Sequence, residues 1–163
     1  MSAGIRHKAR VAAMQSLCTL IIRNQVLTDD VEKSIQTVEG EYFPQSKENE
    51  FFRSLVFGVI KNRTAIDDVL QKHAPRWKVK DLASIDRSVL EIGIYEMMYT
   101  TTPTPIVINE AVEVAKEFGE DNSSKFVNGV LSKVSKEEQI LEKEEDTQDL
   151  EKKEKPEKSE NSE

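Results

Sequence analysis

The sequence predicts an all-α protein, a bundle of six or seven helices with a charged tail. Three observations carry this. Apolar residues recur at helical spacing through the first 135 residues, and no segment alternates apolar and polar residues as a half-buried strand would. Glycine is scarce, at 6 of 163 residues, so chain breaks are few. Beyond 136 the apolar pattern stops and charge takes over.

The first helix is expected from Ile5 to Asn24, with Val11, Met14, Leu17, Cys18, Ile21 and Ile22 on its apolar face. A short helix starts near Thr28, an N-cap followed by Asp29 and Asp30, whose charges suit the positive end of the helix dipole. The Gly40–Gln45 segment, with Pro44, is a break. One long helix is expected over Lys47–His73 on the stripe Phe52, Leu55, Val56, Val59, Ile66, Val69 and Leu70. Ala74-Pro75 ends it, because proline disfavours helical geometry in the residue before it. Trp77 and Val79 are expected to plug the core from the connector.

The next helix covers Asp81–Tyr99, with Leu82, Ile85, Val89 and Ile92 inward, a half-core, half-solvent helix. Gly58 and Gly93 lie inside helical patterns, at a cost of roughly 1 kcal/mol each relative to alanine, and close approach of a neighbouring helix would offset it. Thr102-Pro103-Thr104-Pro105 is a stiff linker in which Thr104 caps and Pro105 opens a helix running to Phe118. Gly119 is expected as its C-terminal cap. Asn122 or Ser123 caps a last helix reaching about Ser135.

The domain boundary follows from charge. Residues 136–163 hold 6 lysines and 12 acids, whereas 1–135 hold 17 basic and 18 acidic residues. The tail thus carries nearly all of the net charge of −7. With so few apolar residues it cannot offset its ordering entropy, so disorder is expected from about residue 140. The helical domain is 1–135. No run of about 18 apolar residues would span a membrane, and no signal core follows the N-terminus, so a cytoplasmic protein is expected. The lone Cys18 lies among Met14, Leu17 and Ile21 and reads as a buried, inert thiol.

Catalytic chemistry is not expected. The two histidines, His7 and His73, form no Glu-x-x-His metal motif, and there is no Cys-x-x-Cys spacing, glycine-rich phosphate loop or nucleophile elbow. No cofactor or metal is implied. Binding chemistry is more visible. Arg6, His7, Lys8 and Arg10 open the first helix, where cations oppose its dipole. Arg6 and Arg10 are four apart and share a face, and the guanidinium fork suits phosphate. A solvated helix end would look the same. Lys125 beside Phe126 joins a cation to a ring at the start of the last helix. A ring can stack on an unpaired base while the cation meets phosphate, although ordinary core packing with a solvated lysine is the commoner reason for such a pairing. If the last helix packs beside the first, these residues would form one patch. Arg87 and its neighbours from Asp86 to Glu96 could serve a protein partner.

Taken together, these blocks resemble the NusB family of bacterial transcription antitermination factors. The resemblance rests on Arg6-x-x-x-Arg10 with Ala13–Leu17, Phe52-Arg53-x-Leu55-x-x-Gly58-Val59, Asp86-Arg87-x-x-Leu90 and Tyr95-Glu96. Pro105-x-x-x-Asn109-Glu110-Ala111-Val112-Glu113-x-Ala115-Lys116 and the most specific block, Lys125-Phe126-Val127-Asn128-Gly129-Val130-Leu131, complete it. It implies two packed helical sub-bundles and no enzymatic activity. It also implies binding to boxA RNA of ribosomal RNA leaders with the partner NusE, acting on RNA polymerase through that complex. Arg6, His7, Lys8, Arg10, Lys125 and Phe126 would meet RNA, and Asp86, Arg87, Glu91 and Asn122 would lie on the partner surface. Glu91 departs from the basic residue many relatives carry, Asn122 replaces an acid found in some, and the tail lies outside the resemblance. The oligomeric state stays open, a homodimer of the free protein included. A helical protein-interaction module without RNA binding is the alternative.

Overall fold

The computed structural model describes residues 3–23, 29–45 and 49–137. Among them are α1 (Ala3–Arg23), α2 (Asp29–Tyr42), α3 (Asn49–Lys61), α4 (Arg63–His73), α5 (Ser84–Tyr99) and α6 (Thr104–Phe118). A last helix, α7, covers 123–137, and a single 3₁₀ turn, Val79–Asp81, precedes α5. No strand occurs among the described residues. Thr28 and the tail beyond 137 lie outside them.

Two helices organise the molecule. α1 packs against α2, α3, α5 and α6, while α5 packs against α1, α3, α4 and α6. One sub-bundle is therefore α1–α3 and the other α4–α7, joined where α5 crosses α1 and α3. Leu17, Ile35, Phe52 and Leu55 are fully buried in the first, and Ile66, Leu70, Leu90, Ile94 and Leu131 in the second. Each such side chain contributes about 1.5–3 kcal/mol by leaving water.

The expected half-exposed helix over Asp81–Tyr99 is instead the centre of the fold. Every residue of α5 from Ser88 to Ile94 is buried. A helix enclosed on all sides needs no polar face, which is why its apolar residues fall in several directions. Close approach explains both helical glycines. A Cβ on Gly58 would overlap the Tyr95 ring, and one on Gly93 would sit 2.9 Å from Leu131 of α7.

The long helix expected over Lys47–His73 is two helices broken at Asn62. The Asn62 side-chain amide donates to the Gly58 carbonyl at 2.8 Å, and its own N–H reaches the same oxygen at 3.1 Å. An asparagine that bonds locally competes with the helix ladder, and both flanking helices keep the same inward stripe. Gly40 is helical rather than a break, and α2 runs on to Tyr42. Gly119 ends α6 in an extended conformation, φ −87°, not a left-handed cap. A Cβ there would meet Ser123 and the Ala115 carbonyl, so its role is room. Thr104 is the first residue of α6 rather than its cap, and Pro103 precedes it.

Candidate nucleic-acid interface

The cations that open α1 have three different settings. Arg6 is exposed and lies over the Phe51 ring of α3, 5.3 Å from its centroid. Lys8 is exposed over Phe43, at 5.4 Å. Such contacts hold the charge against an aromatic face and leave the head group in water. His7 is half-buried, its Nδ1 2.7 Å from Glu110 Oε2 of α6.

Arg10 is different. It is 4% exposed, and Glu96 of α5 is 1% exposed. Its Nε donates to Glu96 Oε2 at 2.9 Å and its terminal nitrogen donates to Oε1 at 2.8 Å. Phe51 covers it at 5.1 Å. The expected pair of phosphate-facing arginines on one helix face is thus corrected. One turn further into the bundle, the guanidinium meets a carboxylate inside the protein. Arg6 alone of the two is open to solvent.

A second basic surface forms at the other end of α4. Gln71 clamps the connector: its amide donates to the Trp77 carbonyl at 2.7 Å, and its side-chain oxygen accepts the Val79 N–H at 3.3 Å. Pro75 and the turn bond from Trp77 N–H to the Ala74 carbonyl, 3.2 Å, complete the bend. Trp77 is thereby turned outward and is 56% exposed, not a core plug as expected. Val79, the other residue expected there, does pack half-buried against the core.

Lys125 and Phe126 lie across from this loop. Together with His73, Arg76, Trp77, Gly129 and Lys133 they line an open groove of ≈ 470 Å³ between the α4–α5 connector and α7. Lys125 is exposed, and Phe126 is half-buried with one side packed on the core. Gly129 leaves its wall open, because a Cβ there would meet nothing within 4 Å. The groove's lining includes no residue of α1, so what gathers around Lys125 and Phe126 is Arg76, Trp77 and Lys133 rather than Arg6. Sequence reading missed Trp77 as a surface ring. The only signal was its place directly after Pro75 and Arg76, in a connector where a bulky apolar residue has no periodic partner.

The four residues expected on a partner surface do not form one. Glu91 is 0% exposed. Its Oε2 accepts from Arg63 Nε at 3.1 Å and lies 3.8 Å from Arg87 Nε. Arg87 is mostly buried and donates to Asp67 at 3.1 Å. Asp86 is half-buried, and Asn122 is exposed on the turn before α7. Glu91 is therefore corrected from a docking residue to an interior one. Burial, and then the adjacent Asp67 carboxyl, push it up to about 8, more than the two arginines lower it. Elsewhere, burial pushes the Cys18 thiol up, which fits an inert role.

Among the described residues no helix is long and apolar enough to cross a membrane, and no group of three His, Cys, Asp or Glu could hold a metal ion. Fold and groove define an all-helical binding module whose ring-lined cleft is flanked by cations. A NusB family profile matches residues 7–136. The transcription antitermination protein NusB of Chloroflexus aggregans is 42% identical over 133 residues, covering 79% of this chain and 85% of that protein. A crystal form of NusB from T. maritima superposes with a TM-score of 0.73 at 32% identity, covering 81% of this chain and 91% of that one. The crystal structure of antitermination factors NusB and NusE with double-stranded RNA gives 0.71 at 25% identity, covering 83% and 98%. The chain belongs to the NusB family, whose members are transcription antitermination factors and not enzymes.

Proposed function

We propose that this protein binds the boxA element of ribosomal RNA leader transcripts together with NusE in the cytoplasm, and so promotes read-through by RNA polymerase. The observation that carries the reading is the exposed Trp77 ring sharing a groove with Phe126 and three cations, Arg76, Lys125 and Lys133. A tryptophan held in solvent forgoes the stabilisation of burial, and a stacked base would recover it. Phe126 and Trp77 take bases, while Lys125, Lys133 and Arg76 neutralise phosphates along the same strand. Arg6 and Lys8 supply further phosphate contacts from α1. Arg10 acts on RNA only through α1, as a positioning residue.

A second solved NusB-like chain, at 26% identity and a TM-score of 0.73, comes from the crystal structure of a plectonemic RNA supercoil. That structure is of an RNA supercoil and the NusB–NusE complex includes RNA, which supports an RNA-binding reading. The latter RNA is double-stranded, which makes duplex the control that matters here. NusE is proposed to dock beside the half-buried Asp86 at the start of α5, with Arg87 and Glu91 behind that surface rather than on it.

The test is anisotropy of a labelled single-stranded boxA-like RNA, with and without NusE, at two salt concentrations. NusE should tighten binding. Raising salt from about 50 to 200 mM should weaken it by roughly tenfold to a hundredfold, as expected for a few neutralised phosphates on a single strand. Equal affinity for duplex and single strand would count against base stacking. Stable NusE binding with no RNA affinity would leave a protein-interaction module.

A further inference from the structure

The groove beside Trp77 is basic along its length and neutralised at the end where α7 finishes. Among the described residues, Arg76, Lys125 and Lys133 make no ion pair. At the far rim, Lys72 and His73 of α4 both meet one carboxylate, Glu137, with His73 Nε2 2.5 Å from its Oε2. Lys72, and then His73, hold the Glu137 carboxyl below its usual range. Glu137 is the last described residue of α7, and the acidic segment 138–163 follows it, with 11 acids and 5 lysines. Within it, 142–149 carries five acids and one lysine.

We propose that the acidic segment centred on 142–149 folds back onto the Arg76–Lys125–Lys133 groove and competes there with RNA. Glu137 is then the first of a series of carboxylates seated on this rim. The competing half of this inference rests on the RNA reading above; the contact itself does not.

The reach is sufficient. From Glu137 back to Lys125 is about 18 Å along the helix axis, at 1.5 Å per residue. An extended chain covers about 3.3 Å per residue, so residues 142–149 begin about 16 Å beyond Glu137 and overrun that span. The chemistry also fits, since carboxylates along an extended chain present the same sign of charge to the same cations as a single-stranded phosphate backbone. Each contact is weak and screened by salt. Tethering compensates, because a short linker sets an effective concentration of about millimolar. The segment lies outside the part of the chain that matches the family, 7–136.

The chain's single tryptophan is Trp77, so its fluorescence reports on the groove directly. The experiment compares the full-length chain with a full-length variant carrying E142Q, E144Q, E145Q, D146N and D149N. All five positions follow Glu137 and lie outside the stretch that matches the family, 7–136, so the sequence of the helical domain is untouched. Acrylamide, an uncharged quencher, is titrated at low and high salt. The contact predicts that neutralisation raises the quenching constant about twofold at low salt and that the difference disappears near 1 M salt. Equal quenching of the two proteins at low salt overturns the proposal. Single-stranded RNA is then titrated into both, and the variant should bind about threefold to tenfold more tightly at low salt, converging at high salt. RNA affinities that match, with quenching that differs, overturn the competition. Failure of both proteins to bind RNA overturns the competition and the RNA reading together, while the quenching comparison still decides the contact.

Discussion

Arg10 of α1 and Glu96 of α5 form a two-armed ion pair in the seam between the sub-bundles, with donor–acceptor distances of 2.9 and 2.8 Å and both side chains almost wholly out of water. The pair satisfies both carboxylate oxygens and fixes the register of the two central helices. Its worth lies in that matching, since each charge alone would be costly to bury.

Removing one partner should therefore be severe. Arg10→Ala leaves Glu96 enclosed without its guanidinium and should cost about 3–5 kcal/mol in urea denaturation. The double change Arg10→Met with Glu96→Leu should recover most of that loss. A phosphate-binding Arg10 would instead give a stable Arg10→Ala protein with weakened RNA affinity.

Gly58 is a second point of contact between sub-bundles. The Tyr95 ring occupies the space a Cβ would need, and it stacks on Tyr99 at 5.6 Å. Gly58→Ala should destabilise by about 1–3 kcal/mol, the usual cost of overpacking. Tyr95→Ala in the same chain should remove most of that additional cost, a coupling that a double-mutant cycle measures.

Glu91 gives stability a pH dependence. Its carboxyl is raised from 4.5 in the free state to about 8 in the fold. Between those values the folded protein holds a proton that the unfolded chain has released. The stabilisation is thus full below pH 4.5 and is lost as pH rises towards and through 8. Glu91→Gln mimics the protonated form and should flatten the fall in Tm between pH 5 and 8, as thermal melts across that range would show. A Tm that Glu91→Gln leaves unchanged in slope between pH 5 and 8 would instead mean an ionised Glu91 held by Arg63, whose pH dependence falls below about pH 4.5.

Exposed cations should separate from buried ones in salt titrations. Arg6→Ala and Lys125→Ala should each weaken RNA binding across sequences and lower the salt slope by about one. Phe126→Ala should weaken binding and also reduce discrimination among sequences, because it acts on a base.

Much of this was legible in the sequence, and what was not has physical reasons. The stripes of α3 and α4 report their inward faces, since apolar spacing is fixed by helix geometry, and so does that of α1 up to its last turn, where Ile22 is 71% exposed instead of inward. Gly58 and Gly93 announce close packing because only an absent side chain offsets their cost. Lys125 and Phe126 could be read as a cation beside a ring, but not the groove they line, because Arg76 and Trp77 reach it from a connector about 50 positions earlier. Arg10 could not be read, since spacing gives its helix face but not the carboxylate 86 positions away that meets it. Glu91 was misread for the same reason: Arg63 comes from another helix. Trp77 was misplaced because apolarity predicts burial, while the Gln71 clamp that turns it outward acts through backbone groups.

The central claim is that a single strand of RNA lies in the groove between the α4–α5 connector and α7, its bases on Trp77 and Phe126. The most direct measurement is a titration of single-stranded boxA-like RNA into the full chain, followed by Trp77 fluorescence and repeated with Phe126→Ala. The account predicts quenching of Trp77 on binding, with Phe126→Ala losing about 1–3 kcal/mol of affinity, the worth of one stacked base. RNA that binds with Trp77 unchanged and with Phe126→Ala as tight as the native chain would contradict it.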